Sequence, residues 1–164
     1  MVDLDCLARV EVFQELGYAQ LKAVAELCEE VAFQAGERIF SEGEEPGSLY
    51  AVMEGRVDLH WGGGPGRPAP DGSGVATLGE GATFGWSSLV PSRRYSLAAG
   101  CGEGPCRVLR ADRDGLLDLF EKDPEIGYRV VSGLLAAVSA RLLALQEDAA
   151  RRRGSAGSGA IIVI

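Results

Sequence analysis

The chain has 164 residues, 24 acidic and 16 basic side chains, a formal net charge of −8 and 46% hydrophobic residues. These values are typical of one globular domain and exclude a wholly disordered chain. The negative charge, with no obvious basic face, argues against nucleic acid as a partner, because affinity for the phosphate backbone comes from clustered Lys and Arg.

Targeting, membrane and catalytic signals are weak along the whole sequence. The N-terminus, MVDLDCLARV, carries acids where a signal peptide is basic, and no apolar run approaches the roughly 20 residues that span a bilayer. We therefore expect a cytoplasmic protein with no membrane partner and with four reduced cysteines. The single histidine, His60, leaves neither a multi-histidine metal site nor a hydrolytic triad, so we expect no metal and no enzyme activity.

The first part of the chain changes from a helical to a strand pattern. Residues 7–31 have apolar residues at helical spacing and predict one N-terminal helix, with Leu21, Val24 and Cys28 on its inner face. From residue 31 onward, short runs of Val, Ile, Phe and Tyr are separated by glycines, which is typical of antiparallel strands. Because strand follows strand without helices between them, the pattern favours a sandwich or jelly roll.

Two further segments complete the β region. Residues 62–74, GGGPGRPAPDGSG, are too rich in Gly and Pro for a helix or an interior strand, and they predict a long, mobile hairpin loop. The strand pattern resumes with VATLGEGATFGW and continues through YSLAAGCGEGPCRVLRA.

The C-terminal third predicts two helices and a tail. Asp112 is a candidate N-cap for the first helix, and Asp123 followed by Pro124 marks the start of the second. The second helix is expected to run to about residue 151, roughly 40 Å, and the remainder, 151–164, reads as a flexible Gly/Ser tail. An apolar stripe repeats along this helix with the 4, 3, 4, 3 spacing of a coiled-coil seam: Val131, Leu135, Val138, Leu142 and Leu145. We expect it to form a homodimer, although packing on the chain's own barrel is the alternative.

The segment 79–98 carries the candidate binding chemistry. A strand ends at Phe84-Gly85, a short turn follows, and Arg93 and Arg94 lead into the next strand. Gly85 permits close approach of a ligand to the backbone, the following amides are potential donors, and arginine offers a fixed fork for phosphate oxygens. The alternative is that both arginines lie on a solvated loop and pair with surface acids.

Several of these segments together resemble the cyclic-nucleotide-binding domain family, which includes the catabolite activator protein and the regulatory subunits of protein kinase A. The resemblance covers about residues 5–150, and we take residues 1–150 as one domain. It rests on F-x-E-L at 13–16, A-G-E-x-I-F-x-E-G at 35–43, S-L-Y-A-V-x-E-G-x-V at 48–57, L-G-E-G-x-x-F-G at 78–85 and R-Y-S-L at 94–97. The turn glycines of the family fall on Gly36, Gly43, Gly55, Gly81 and Gly85.

The resemblance implies a mainly β fold with flanking helices: an eight-stranded jelly roll, a phosphate-binding cassette at residues 84–96, and a long C-terminal helix that closes over the ligand and dimerises. It implies a regulatory module that binds a cyclic nucleotide, cAMP or cGMP, or another small phosphorylated anion. The family's DNA-reading helix-turn-helix has no counterpart in residues 151–164. The implied ligand-binding residues are Gly85, Trp86, Ser87, Ser88, Arg93, Arg94, Tyr95 and Ser96.

The cassette departs from the family at one position. Members that bind cyclic nucleotides tightly have Glu directly after F-G, where it binds the ribose hydroxyl, whereas this chain has Trp86. Arg94 best matches the phosphate-binding arginine, and Arg93 is the alternative. In the long helix, Arg141-Leu142 matches an R-L pair of the activator.

The sequence is also compatible with two functions other than ligand binding. In the first, Trp86 fills a pocket that binds nothing, and the chain is an interaction or scaffold protein that docks a protein partner. In the second, Cys101 and Cys106 lie on either side of a tight turn and form a redox-sensitive disulfide.

Overall fold

The computed structural model describes residues 2–62, 71, 74–91 and 93–154, with side chains described up to residue 152. Eight strands form two four-stranded antiparallel sheets, with helices at both ends of the chain. One sheet has the order β1-β8-β3-β6 and the other β2-β7-β4-β5. The predicted two-sheet jelly roll with a long C-terminal helix is confirmed. The strands are β1 Cys28–Phe33, β2 Arg38–Phe40, β3 Ser48–Glu54, β4 Val57–His60, β5 Gly74–Leu78, β6 Thr83–Phe84, β7 Ala98–Cys101 and β8 Cys106–Asp112.

The N-terminal region differs from the single predicted helix. It contains two short helices, α1 Leu4–Leu7 and α2 Tyr18–Ala25, joined by turns. The apolar residues of the connecting segment, among them Val10, Val12 and Phe13, are almost completely buried. The apolar residues whose spacing predicts one continuous helix are therefore buried in turns, where they pack into the core.

The helix prediction is also wrong for Cys28. This cysteine is the first residue of β1, where it pairs with Ala111 of β8. The backbone hydrogen bonds available from β8 favour the extended conformation over another helical turn.

The core has two parts. One cluster joins the N-terminal segment, strands β3 and β8 and the two C-terminal helices. In it, Leu7, Phe13 and Leu116 are almost fully buried. The second cluster lies between the two sheets and contains Phe40, Phe84 and Val108. The candidate cassette lies between these two clusters, because Phe84 belongs to the second and Trp86 packs against the first.

The predicted loop at 62–74 falls mostly outside the described residues. The strands on either side of it, β4 and β5, pair antiparallel from Val57↔Leu78 to His60↔Gly74. This is the pairing that a hairpin requires.

The two C-terminal helices begin where the capping residues predict. Helix α3, Arg113–Lys122, starts after Asp112, whose carboxylate accepts a hydrogen bond from the amide of Gly115 at 2.8 Å. Helix α4, Pro124–Gly154, starts after Asp123, whose side chain accepts from the amide of Glu125 at 3.1 Å. The predicted tail lies outside the described residues from 155 onward.

Helix α4 has two different faces. Its inner face, Ile126, Val130 and Ala137, is buried against the rest of the chain. Gly133 lies so close to the N-terminal segment that an added Cβ would be 3.0 Å from Cα of Val12. The outer face carries the predicted stripe, in which Val131, Leu135, Leu142 and Leu145 are 45–67% exposed. Val138, the fifth residue of the stripe, is half-buried. Most of the stripe is therefore left uncovered by the chain's own barrel.

By length and composition alone, α4 also qualifies as a candidate membrane span over Pro124–Arg152. This differs from the expectation that no apolar run approaches the length of a span. Two basic residues fix this helix to the N-terminal segment: Arg129 donates to the carbonyl of Glu15, and Arg141 pairs with Glu11 at 2.6 Å. Because α4 is bonded to the β domain in this way, its length and apolar composition are only weak evidence for a membrane span.

Candidate functional site

The cassette begins at a left-handed glycine. Strand β6 ends at Phe84, and Gly85 follows with φ of 72° before the 3₁₀ helix Trp86–Leu89. A Cβ on Gly85 would be 3.0 Å from Cδ2 of Tyr50 and 3.3 Å from the carbonyl oxygen of Ser48. Gly85 is therefore required both by its backbone conformation and by close packing against β3.

The 3₁₀ helix is held by one of its own backbone hydrogen bonds and by one bond from α3. The amide of Ser88 donates to the carbonyl of Gly85 at 3.1 Å, and Nε of Arg113 donates to the carbonyl of Ser88 at 2.8 Å. Ser87 and Ser88 are buried, and Oγ of Ser88 has no hydrogen-bond partner among the described residues. The cassette backbone is thus held rigidly by the first residue of α3.

Tyr95 belongs to the core and also borders the site. Its ring stacks on Phe40 with centroids 3.8 Å apart, and its hydroxyl donates to the carbonyl of Ser48 at 2.7 Å. Burial raises the pKa of Tyr95 well above its usual range. The hydroxyl therefore remains a neutral donor, already used by the protein itself.

The two arginines lie at the surface. Arg93, Arg94 and Ser96 are exposed, and Nη1 of Arg94 donates to the carbonyl of Gly43 at 3.1 Å. A guanidinium has five N–H donors, so this contact leaves Arg94 able to bind an anion while fixing its position beside the loop 41–47. No ion pair of Arg93 or Arg94 with a surface acid is found among the described residues.

A small cavity of about 50 Å³ lies behind the cassette. Five predicted site residues, Gly85, Trp86, Ser87, Tyr95 and Ser96, line it together with Phe40, Leu59 and Leu97. Ser88, Arg93 and Arg94 do not line the cavity. The structure thus brings five of the predicted site residues around one hollow and leaves both arginines exposed outside its lining.

Trp86 connects this cavity to α4. The indole is half-buried and packs against the helical core cluster, and the guanidinium carbon of Arg141 lies 5.1 Å from the centroid of its ring. This distance is that of a cation–π contact. Sequence reasoning singled out Arg141 only because it matches an R-L pair of the activator, and it missed Glu11, the ion-pair partner of Arg141. Neither residue has a local sequence signal that links it to the cassette.

The cysteines are placed differently from the expectation of four reduced thiols. Cys101 and Cys106 form a disulfide with Cα atoms 5.8 Å apart, joining β7 of one sheet to β8 of the other, while Cys6 and Cys28 are free. The proposed pairing is therefore present, and its redox role remains a prediction. Burial raises the pKa of the Cys28 thiol to about 12.

Thiol labelling checks this assignment. We expect two of the four cysteines to react with iodoacetamide in denaturant without reductant, and all four after reduction. In the native protein at pH 8, Cys28 should label much more slowly than free cysteine, because burial raises the pKa of its thiol and lowers its thiolate fraction. Four reactive thiols in unreduced denatured protein would show that the Cys101–Cys106 bond does not form.

Metal chemistry finds no support in the described ranges. Among residues 2–62, 71, 74–91 and 93–154, no group of three or more His, Cys, Asp or Glu side chains could hold a metal ion.

Two antiparallel sheets with a glycine-turn cassette and a long C-terminal helix define a class of jelly-roll domains. The model of one family, the cyclic nucleotide-binding domain, matches residues 30–123. The chain belongs to the cyclic nucleotide-binding domain family, as the sequence resemblance had implied.

A curated relative and a solved structure are also similar to this chain. The CRP-like cAMP-activated global transcriptional regulator of Mycobacterium tuberculosis is 31% identical over 130 residues, which are 77% of this chain and 54% of that protein. The chain thus spans about half the length of this curated relative. A candidate cyclic nucleotide-binding protein from Geobacter metallireducens GS-15 has a TM-score of 0.74 and 30% identity, covering 87% of this chain and 99% of the other.

The fold likeness extends to more distant proteins. The catabolite activator protein of Thermus thermophilus has a TM-score of 0.65 at 24% identity, covering 86% of this chain and 63% of that one. At this identity the comparison supports the fold alone.

Proposed function

We propose that the chain is a regulatory module that binds a small phosphorylated anion, with cyclic nucleotides as the first candidates, at the cassette between β6 and β7. The observation that carries the proposal is that Gly85, Ser87 and Ser96 line one cavity, and that the exposed Arg94 directly precedes the cavity-lining residues Tyr95 and Ser96 in the chain. Family membership and the cAMP-activated relative support the same ligand class.

In this proposal, Arg94 binds the phosphate and Trp86 forms a wall against the base or sugar. Indole donates one N–H and accepts no hydrogen bond, so it cannot replace the carboxylate that binds the ribose in tight-binding relatives. The lost charge-assisted bond corresponds to about 1.5–3 kcal/mol, or roughly tenfold to a hundredfold in affinity. We therefore expect weaker cyclic-nucleotide binding than in those relatives.

Ligand entry requires the cassette to open. The cavity of about 50 Å³ is much smaller than the ~300–1,000 Å³ of ordinary ligand sites. The exposed side chains of Arg93, Arg94 and Ser96 and the half-buried Trp86 are the parts that can move. Tyr95, Gly85 and Ser88 are held by packing or hydrogen bonds. A ligand that favours the open cassette would shift the packing of α4 and so produce a signal.

The small volume of the cavity, about 50 Å³, also favours a second candidate function. If Trp86 fills the site permanently, the chain is an interaction or scaffold module without a ligand, and a partner contacts its surface directly. The two candidates differ in whether any nucleotide changes the environment of Trp86.

Titration of cAMP and cGMP distinguishes them. In a Trp61→Phe background, Trp86 is the only tryptophan, so its fluorescence reports on the cavity, and the melting temperature gives an independent measure of binding. We expect saturable changes in both signals. Unchanged fluorescence and melting temperature at millimolar concentrations of both nucleotides would favour the scaffold function.

Matched arginine variants test the assigned role. Arg94→Ala should weaken binding by roughly tenfold to a hundredfold, the usual loss for a charge-assisted hydrogen bond. Arg93→Ala, on the neighbouring exposed residue, should leave the dissociation constant within about twofold. Equal effects of the two substitutions would mean that the arginines act only through general charge.

We further propose that the protein acts in the cytoplasm as a homodimer, without nucleic acid, membrane or catalysis. The exposed stripe on α4 supports the dimer, because a second copy of the same helix is complementary to its coiled-coil spacing. The net charge of −8 opposes binding to nucleic acid. The two arginine contacts of α4 to the N-terminal segment support a role for that helix within the domain rather than in a bilayer.

A further inference from the structure

Three side chains from distant parts of the sequence meet at the edge of the cassette. Glu11 comes from the N-terminal segment, Trp86 from the 3₁₀ helix, and Arg141 from the second half of α4. The carboxylate of Glu11 lies 2.6 Å from Nη2 of Arg141, whose guanidinium carbon lies 5.1 Å from the centroid of the Trp86 ring. Arg141 is thus in contact with both other elements.

Glu11 is itself firmly placed against the strand that leads into the cassette. The same oxygen that binds Arg141 accepts a hydrogen bond from the amide of Thr83 at 2.7 Å, and the amide of Glu11 donates to the carbonyl of Gly81 at 2.9 Å. Through these bonds, the anionic partner of Arg141 belongs to the same rigid unit as β6. The ion pair therefore connects α4 to the cassette rather than to a freely moving loop.

Arg141 is the least exposed of the ion-paired arginines of α4 among the described residues. Its side chain is 19% exposed, whereas those of Arg129, Arg151 and Arg152 are 37%, 76% and 80% exposed. Burial lowers the pKa of Arg141, and the Glu11 carboxylate opposes this shift. A partly buried pair is less screened by water and salt than these surface pairs.

The indole of Trp86 lies against the guanidinium of Arg141, which has one nitrogen without a hydrogen-bond acceptor. Nη1 of Arg141 is buried without a hydrogen-bond acceptor among the described residues. An unpaired buried donor is normally costly, but the negative face of an indole ring is attracted to a guanidinium and offsets part of that cost. Trp86 is therefore a partner that Arg141 needs, and Arg141 in turn restricts the indole.

We propose that Arg141 is a positioning residue that latches α4 onto the cassette in the ligand-free protein, through its ion pair with Glu11 and its stacking on Trp86. The latch exists without a ligand. Its regulatory use rests on the proposed function: because Trp86 lines the cavity and contacts Arg141, a ligand bound against the indole changes this contact and so alters the packing of α4 on the cassette.

Ligand-free protein in the Trp61→Phe background provides the test. Arg141→Met keeps the length and apolar stem of the side chain but removes the cation. We expect acrylamide to quench Trp86 more strongly in this variant. Amide hydrogens over residues 138–150 should exchange about tenfold faster, because local opening of α4 no longer has to break the latch.

Three further variants make the result specific. Arg141→Lys should restore part of the protection of Trp86, because an ammonium also binds an aromatic face. Glu11→Gln should accelerate exchange in the same segment, and Arg151→Met, on an exposed residue of the same helix, should change neither signal. Unchanged circular dichroism of each variant shows that the domain is folded.

The proposal is overturned if Arg141→Met leaves both Trp86 quenching and amide exchange over 138–150 unchanged, or if Arg151→Met has an equal effect. Neither measurement contains a nucleotide. A chain that binds no cyclic nucleotide can therefore still have the latch, and a chain that binds one can lack it, so failure of this inference is distinct from failure of the proposed function.

Discussion

Replacement of Gly85 by alanine is expected to lower the free energy of unfolding by about 2–5 kcal/mol. The left-handed conformation, with φ of 72°, costs an L-residue about 1–2 kcal/mol. The new methyl group would meet Tyr50 at 3.0 Å and Ser48 and Tyr95 at 3.3 Å, and overpacking of this kind adds about 1–3 kcal/mol. Urea unfolding followed by circular dichroism measures the difference.

Gly79→Ala is the matched control for this substitution. Gly79 lies in the same part of the chain, and a Cβ added there would have no other heavy atom within 4 Å. Its replacement should change stability by less than about 0.5 kcal/mol, as at an ordinary surface site. If the Gly85 variant is as stable as the Gly79 variant, the cassette backbone is not constrained as described.

Leu135→Glu on α4 is expected to convert a dimer into a monomer without unfolding the domain. Leu135 is 67% exposed in the single chain, so the domain loses little packing, and Leu and Glu have similar helix propensity. In a two-fold seam the change removes two leucines at about 1.5–3 kcal/mol each, which raises the dissociation constant by roughly a hundredfold or more. Sedimentation equilibrium over a range of concentrations measures it.

Leu143→Glu is the control for the dimer. Leu143 is 58% exposed but lies outside the stripe of 131, 135, 138, 142 and 145, so its substitution should leave the association unchanged. A wild-type chain that sediments as a monomer at several hundred micromolar would contradict the proposed dimer. So would equal dissociation of the two variants.

The parts of the fold with strong local signals could be predicted from the sequence. Glycine positions mark turns that need positive φ, and Gly85 is among them. The caps Asp112 and Asp123 begin their helices because their carboxylates satisfy free backbone amides. The stripe on α4 can be recognised because one periodic pattern persists along the helix, although its exposure is visible only in three dimensions.

The errors arise where tertiary contacts override local patterns. Val10 and Phe13 have helical spacing but are buried in turns between α1 and α2. Cys28 is extended because β8 offers it a strand partner. At the site, Gly85 and Ser87 line one cavity, and their binding role stays a prediction. The sequence could not show that Arg94 lies outside the lining of this cavity or that Arg141 contacts Trp86, since these placements depend on how separate elements pack.

Residue-resolved NMR tests the central claim, that the cassette binds a phosphorylated anion, most directly. On addition of cAMP to ¹⁵N-labelled protein, we expect saturable shifts of the amides of residues 85–88 and 94–97, with smaller shifts in α4 near Arg141, and their loss in Arg94→Ala. An unchanged spectrum at millimolar cAMP and cGMP, or weak shifts scattered over the surface, would contradict it.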